Sequence, residues 1–377
     1  GIMTKTVVIV GGGSAGWLTA GIIAARHNPL DTADQGIKVI LLESPDVANL
    51  GVGEGTWPTM RDTLRQIGIS EVDFLKACDV SFKQGSQFIN WQRGEGESYY
   101  HPFVPPAGYG SLNLAAHWLN GDSDLNFADA VCPQGKVCDL RLAPKTPQTP
   151  EYAFGLNYGY HLNAGKFVEL LKSHCVDKLG VDYQIGHVDQ ILSADNGDIS
   201  GLSLSNGEQI PGDLFVDCTG FAALLIGKHY QVPFVSQRGC LFNDTALAVQ
   251  VNHADENTPI ASCTKSTAQS SGWVWDIALP TRRGIGHVFS SRHVSLEKAE
   301  DELLRYLEAD PALSKDHPAP RKITFQPGHR ESFWHKNCVA VGVSAGFVEP
   351  LEASALVLIE KSAEFISNNL PRERSAM

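Results

Sequence analysis

Gly11, Gly13 and Gly16 follow a G-x-G-x-x-G spacing. This pattern lets a backbone cradle a pyrophosphate when a strand precedes it and a helix follows. Each glycine answers a separate demand. Gly11 permits the tight turn, Gly13 lets the backbone approach the phosphates, and Gly16 lets the helix pack closely on the strand. Ser14, Ala15 and Gly16 then offer first-turn N–H groups at the positive end of a helix dipole. Glu43 stands at the end of the next apolar run, where a carboxylate can accept hydrogen bonds from a ribose diol. Its distance from the glycines exceeds the usual spacing because a polar loop, about Asn28 to Gly36, intervenes. A second glycine cluster, Gly51-Val52-Gly53-Glu54-Gly55, suits a loop laid against a ligand.

The elements that must position these residues are legible in outline. Thr6 to Val10 is a β-branched run of the kind buried on both faces, Leu18 to Ala25 reads as a helix, and Lys38 to Leu42 is a second buried strand. Pro58 opens a helix to about Ile67, and Ser70 caps another to Ala77. Val80 to Trp91 is mixed, with Lys83 among apolar residues; a lysine in such a run ordinarily points to solvent. From Arg93 to about Thr149 the chain is rich in Gly, Pro and Asp with little periodicity, apart from a possible helix at Leu112 to Leu119. A long loop region of this kind, here carrying Tyr99-Tyr100-His101-Pro102-Phe103, is usually a lid or binding segment. Ala164 to Leu179 is amphipathic. Strands follow at Tyr183 to Gly186, Val188 to Ala194, Ile199 to Leu204 and Asp213 to Asp217, with Asn206-Gly207 as a turn between the last two. Ala246 to Val251, Trp273 to Leu279 and Gly286 to Ser290 are strand-like, and Val294 to Leu307 is helical. Asn337 to Gly342 is one more buried strand, and a helix from about Glu352 to Asn368 closes the pattern. The wiring is a βαβ start, an inserted second domain, and late strands returning to the first sheet.

Bulk properties narrow the function. A chain of 377 residues is too long for one simple core. With 43% hydrophobic and 19% charged residues it suits a soluble globular protein. A net charge of −12 argues against nucleic acid as a partner. No apolar run spans a membrane and no signal peptide is evident. The eight cysteines show neither C-x-x-C nor zinc spacing, so they read as reduced thiols in a cytoplasmic protein with no metal site.

Taken together, the motifs resemble those of the flavin-dependent tryptophan halogenases, and they run nearly end to end. The matching pieces are Gly11 to Trp17, Gly51-Val52-Gly53-Glu54, Ser81-Phe82-Lys83, and Phe88-Ile89-Asn90-Trp91. They continue with Tyr100-His101, Asp217-Cys218-Thr219-Gly220, Trp273-Val274-Trp275-Asp276-Ile277, Asn337 to Gly342, and Glu349-Pro350-Leu351-Glu352. The Trp-x-Trp-x-Ile piece beside the glycine fingerprint is what singles out this family.

The resemblance implies an α/β, flavin-monooxygenase-like fold with a G-x-G-x-x-G dinucleotide-binding core and an inserted β-rich substrate domain. It divides the chain into a discontinuous FAD-binding domain (1–92, 151–232 and 320–377), a loop-rich substrate or lid segment (93–150) and a β-rich substrate-side domain (233–319). The family's C-terminal helical segment is expected to be absent. Reduced FAD, oxygen and a halide would yield hypohalous acid, which passes to a second site for halogenation of an aromatic ring. Lys83 and Glu352 match the catalytic pair. An ammonium group can hold the reagent, and a carboxylate can take the proton lost from the ring. Val52, Gly342 and Leu351 join the glycines and Glu43 at the flavin, Ser354 and Ala355 would form the halide site, and His101 and Phe103 would meet the substrate, with Trp118 a weaker candidate. Trp273 and Trp275 would wall off the flavin.

Two departures stand out. The family's Glu-Ser-Thr-Gly is here Glu352-Ala353-Ser354-Ala355, which implies altered halide handling, and Ala278 replaces a usual proline. The implied partners are a separate NADH-dependent flavin reductase and a small aromatic substrate such as tryptophan or free indole; a homodimer stays open. Two other readings stand beside this one: a flavin hydroxylase or reductase on the same fold, and a flavin-binding protein that does not halogenate.

Overall fold

The computed structural model describes residues 5–27, 36–46, 53–56, 58–89, 98–102, 158–236, 243–347 and 355–370, with 98–102 described as backbone. The chain begins with β1 (Thr6–Val10), α1 (Ser14–His27) and β2 (Lys38–Glu43). Next come β3 (Gly53–Gly55), α2 (Thr59–Ile67), α3 (Glu71–Ala77), β4 (Ser81–Lys83), β5 (Gly85–Ile89), β6 (Ser98–Pro102), β7 (Gly159–Asn163) and α4 (Ala164–Asp177). Five strands follow: β8 (Asp182–Ile185), β9 (Val188–Ser193), β10 (Ile199–Leu204), β11 (Gln209–Pro211) and β12 (Leu214–Asp217). A π-helical turn, Leu224–His229, leads to β13 (Phe234–Ser236), β14 (Thr245–Asn252), β15 (Cys263–Gln269), β16 (Gly272–Ala278) and β17 (Arg282–Phe289). The remaining elements are α5 (Leu296–Ala309), β18 (Arg321–Thr324), β19 (Gly328–Arg330), β20 (Trp334–His335), β21 (Cys338–Ala340), β22 (Gly346–Phe347) and α6 (Ala355–Asn368).

A six-stranded sheet, ordered β20-β21-β12-β1-β2-β8, holds the first core. β1 lies between β2 and β12, parallel to both, and β21 returns parallel to β12. Alternation along β1 sends Val7 and Ile9 into a cluster with α1, α4 and α6, and Val8 and Val10 into a second cluster with β10 and β11. Both faces of β1 are therefore covered, which is why the strand reads as an unbroken apolar run. Helix α1 is buried nearly all round, from Gly16 to Ala24, because α2, α4 and α6 pack against it as well as the sheet. Asn206 and Gly207 form a turn as expected, with Gly207 at φ +90°, but the turn joins β10 to β11 rather than to β12.

The second large sheet has seven strands, ordered β18-β14-β17-β16-β15-β5-β6. Helix α5 packs on one face of it, where Ala299, Leu303 and Leu307 meet Leu247, Val249, Val274 and Ile285. A buried ionic network ties the same face together. Arg283 forks onto Asp276, also reaches Asp310, and Tyr306 of α5 donates to Asp276. β15 is a strand that hydrophobic patterning misses. Its buried residues are Cys263, Thr264, Ser266 and Thr267, small and mostly hydroxylated, so the alternation carries no hydropathy signal. A three-stranded sheet, β3-β7-β4, links the two larger ones.

The cysteine expectation needs one correction. Cys78, Cys175, Cys218 and Cys338 are free thiols as expected, but Cys263 is disulfide-bonded, a pairing that cysteine spacing does not encode. Among the described residues no helix is long and apolar enough to cross a membrane, and no group of side chains could hold a metal ion.

Helix α6 is fastened to α2 by a buried carboxyl group. Glu360 accepts from Thr59 Oγ1 at 3.0 Å and from Thr63 Oγ1 at 2.5 Å, and burial raises its pKa to about 8. The folded state therefore binds a proton that the unfolded state releases between the ordinary carboxyl range and pH 8. The associated stability is full at low pH and is lost as pH rises through that window. Glu360→Gln keeps the threonine bonds without the charge. Relative to wild type it should gain on the order of 3 kcal/mol between pH 5 and pH 8, read by urea unfolding at both pH values. An unchanged difference between the two pH values would remove the assignment.

Candidate functional site

The carboxyl-terminal edge of the six-stranded sheet is shaped for a dinucleotide. Gly11 sits at φ +123°, and a Cβ there would fall 2.0 Å from the Cys218 carbonyl oxygen of the turn after β12. A Cβ on Gly16 would lie 1.9 Å from the Gly11 carbonyl oxygen, so α1 approaches β1 only because no side chain intervenes. Gly13 is the opposite case. It is exposed, and nothing lies within 4 Å of where its Cβ would be. Two crowded glycines and one open one above a helix N-terminus are the arrangement a pyrophosphate needs, so the residues present fit a flavin dinucleotide. Glu43 is half-buried beside Gly12 and accepts a short hydrogen bond from the Tyr183 hydroxyl. Gly342 lies at φ +77° on the same edge, its Cβ position 3.0 Å from Ala15 Cβ.

Asp217 builds the turn beside this cradle. Its buried carboxylate accepts from the Thr219 backbone N–H and hydroxyl and from the Leu225 and Ile226 backbone N–H groups, at 2.6–3.0 Å. The turn Gly220–Ala222 then carries Phe221, which packs on Phe347, and Phe347 packs on Phe325 at ring distances of 6.0 and 4.7 Å. Phe325 belongs to one cluster with Trp273, Val288 and Ala246, and Trp275 packs against it. Trp273 and Trp275 thus share one face of β16, joined by aromatic contacts to the turn at the dinucleotide edge. Gly286 makes room for Trp275, whose ring would touch a Cβ there at 1.9 Å.

Lys83 is fully buried, contrary to the surface position that a lysine in a mixed run suggests. β4 pairs with β7, Lys83 opposite Gly159, while β5 pairs with β15, Gly85 opposite Cys263. The chain therefore leaves one sheet and enters another across Lys83 and Gln84, and the Gln84 N–H bonds the Ser262 carbonyl at 2.7 Å. Gly159 cannot carry a side chain, since its Cβ would meet the Thr56 carbonyl oxygen at 2.4 Å.

The faces of the three-stranded sheet differ sharply. Phe82, Tyr160 and Leu162 turn to the first core. Ser81, Lys83 and His161 turn the other way, toward β15 and β16, where Ala278 receives Ser81 and Thr264 meets His161. Alternation puts Thr264 on the same side of the seven-stranded sheet as Trp273 and Trp275. His161 was not singled out by sequence reasoning. It sits in a short strand, Gly-Tyr-His-Leu-Asn, whose only signal is a polar residue between two large apolar ones. Glu54 was likewise not singled out, and it lies opposite Leu162, on the other side of the three-stranded sheet from His161. It lies in the second glycine cluster, its Oε2 is buried with no hydrogen-bond partner among the described residues, and burial raises its pKa to about 7.

Of the other expected residues, Val52, Phe103, Trp118, Leu351, Glu352 and Ser354 lie outside the described residues. His101 is placed as backbone, opposite Ser86 on the strand beside β5. Ala355 is the exposed first residue of α6.

The sheet edge thus suits a nucleotide, Trp273 and Trp275 share one face of β16, and Lys83 is buried at the seam between the sheets. Comparison with known proteins agrees. The tryptophan halogenase family model matches residues 6–376. Tryptophan 6-halogenase ThaL of Streptomyces albogriseolus is 32% identical over 97% of this chain and 70% of its own length. Tryptophan 7-halogenase RebH of Lentzea aerocolonigenes is 32% identical over 94% of this chain and 67% of its own. Among solved structures, the tryptophan halogenase from Shewanella frigidimarina NCIMB 400 superposes with a TM-score of 0.88 at 50% identity, covering 99% of this chain and 72% of that one. BrvH, a flavin-dependent halogenase from Brevundimonas sp. BAL3, gives a TM-score of 0.80 at 33% identity, covering 99% and 73%. The chain belongs to the tryptophan halogenase family and is an enzyme of the flavin-dependent halogenase class.

The glycine geometry separates folding from cofactor binding. Gly13→Val should fold normally and lose FAD binding, whereas Gly11→Ala should lose at least about 2 kcal/mol of stability from backbone collision and strained φ. Thermal melts and FAD titration of both variants test this; normal FAD binding by Gly13→Val would contradict it.

Proposed function

We propose that this chain is an FADH2-dependent halogenase that uses O2 and chloride or bromide to make hypohalous acid and halogenates an indole-type aromatic, such as tryptophan or free indole. The single observation that carries this reading is the burial of Lys83 at the seam between the sheets, on the side shared with Trp273 and Trp275. When bound, the reduced flavin supplies two electrons to O2, so that halide is oxidised to hypohalous acid and the other oxygen atom leaves as water.

The protein's own residues divide the remaining work. Gly11, Gly13, Ser14, Ala15 and Gly16 hold the pyrophosphate, Glu43 accepts from the ribose, and Val52, Gly342 and Leu351 complete the flavin pocket. Trp273 and Trp275 keep the aromatic substrate from the flavin. Ser354 and Ala355 bind halide through N–H groups at the start of α6. The Lys83 ammonium donates to the hypohalous oxygen and makes the halogen more electrophilic, and Glu352 accepts the ring proton. A carbon–halogen bond forms, the carbon–hydrogen bond breaks, and the hypohalous oxygen departs as water. His101 and Phe103 hold the ring. A separate NADH-dependent reductase supplies reduced flavin, and the reaction takes place in the cytoplasm.

Indole incubated with the enzyme, a flavin reductase, NADH, FAD, oxygen and bromide or chloride should exchange one hydrogen for one halogen, read by mass spectrometry. Lys83→Ala, with Lys83→Met as a variant that preserves packing, should abolish the exchange while hypohalous acid is still formed. Halogenated indole at wild-type yield from both variants would overturn the role of Lys83, and none from wild type with either halide would overturn the proposed function for indole.

A further inference from the structure

His161 occupies the site side of the three-stranded sheet with Lys83, yet no step above uses it. It is completely buried, and its neighbours Ser81 and Thr264 are buried as well. Ser81 Oγ donates to the Ala278 carbonyl oxygen at 2.6 Å, so its single proton is committed. Toward His161 Nδ1, 3.3 Å away, Ser81 can only accept, which assigns the ring proton to Nδ1. Nε2 is then bare and accepts from the Thr264 hydroxyl at 2.8 Å. The imidazole therefore bridges β4, which carries Lys83, to β15 and β16 of the seven-stranded sheet.

The charges around the ring are few. Burial, with Lys83 on β4 adding to it, holds His161 well below the ordinary histidine range. On β15 and β16, Lys265 and Asp276 stand opposite one another on the other face of the sheet, and Asp276 is bonded there by Arg283 and Tyr306. Glu54 on β3 alternates to the far side of the three-stranded sheet, since Gly55 is the residue opposite His161. Among the described residues of the elements packed on His161, the charge that faces it is Lys83.

We propose that His161 is a positioning residue for the halogenation step: locked as the neutral Nδ1–H tautomer between Ser81 and Thr264, it sets the Lys83 strand against the Trp-bearing face without adding a second positive charge beside the ammonium. It acts through Lys83 and touches neither flavin nor halide. The inference rests on the reading of Lys83 given above. It adds a requirement that this reading lacks, namely that the coupling of oxidant to substrate depends on an uncharged bridge two sheets wide.

The test is the ratio of halogenated indole, formed with indole present, to hypohalous acid released in parallel reactions without indole, where a thioether scavenger counts it. His161→Phe removes both ring nitrogens, and His161→Asn retains a donor toward Ser81. In His161→Phe, FAD binding and hypohalous acid formation should stay at wild-type levels while the ratio falls by up to about a hundredfold, as expected when a reacting group is displaced by about an ångström. His161→Asn should recover part of the ratio. Thr264→Val, which deletes only the Nε2 donor, is read in the same way should the phenylalanine variant not fold. A wild-type ratio in His161→Phe, or in Thr264→Val where it substitutes, overturns the proposal, as does a fall in oxidant formation that matches the fall in product. Failure of wild type itself to halogenate indole would count against the proposed function instead, so the two outcomes remain distinct.

Discussion

The constraint on which the site depends is the burial of an ammonium group where the chain passes from one sheet to another. A lysine withdrawn from water is costly unless its surroundings compensate it. Here the strand register dictates that burial. Lys83 ends β4 opposite Gly159, and two residues later Gly85 begins a ladder with Cys263 in a different sheet. A chain that changes sheets within two residues has no freedom to rotate a side chain outward, so Lys83 stays inside. The aromatic residues Phe82, Tyr158 and Tyr160 fill the far side, and Glu71 satisfies both tyrosine hydroxyls, at 2.8 and 2.6 Å. Pressed between that packed layer and the seven-stranded sheet, β4 cannot shift without disturbing both cores.

The nucleotide edge and the lysine seam are connected by structure that is rigid for separate reasons. Asp217 fixes the turn after β12 through four hydrogen bonds, and the phenylalanines at 221, 347 and 325 carry that turn to the tryptophan face of β16. β16 in turn receives Ser81 at the Ala278 carbonyl. The two ends are therefore linked through a chain of packed side chains, from exposed Phe221 to buried Trp273. That arrangement suits a reaction whose oxidant is generated in one place and used in another.

Much of the first sheet was readable because its logic is local. A buried strand, a glycine turn and a helix are adjacent in sequence, and Gly16 is a glycine because the Gly11 carbonyl of the same unit would collide with anything larger, although the collision that fixes Gly11 comes from the remote Cys218 carbonyl. The return of Cys338-Val339-Ala340 to β12 was readable from its unbroken apolar run. The lysine seam was far less legible. Lys83 was found through its flanking residues, and its complete burial could not be inferred because the partners, Gly159 and Cys263, are remote in sequence. β15 was missed since threonine and serine can be buried by hydrogen bonding as readily as leucine is by exclusion of water. His161 was missed for the same reason: its partners Ser81 and Thr264 are 80 and 103 residues away.

In the function proposed, oxidant made at the flavin is consumed at Lys83 before it reaches bulk water. The direct measurement is the partition of halogen between indole and a soluble thioether added in increasing excess during turnover by the wild-type enzyme, since free hypohalous acid oxidises thioethers readily. The account predicts that halogenated indole stays constant as the thioether rises. Product that falls in proportion to the added thioether would mean that halogenation occurs in solution, and would contradict the account.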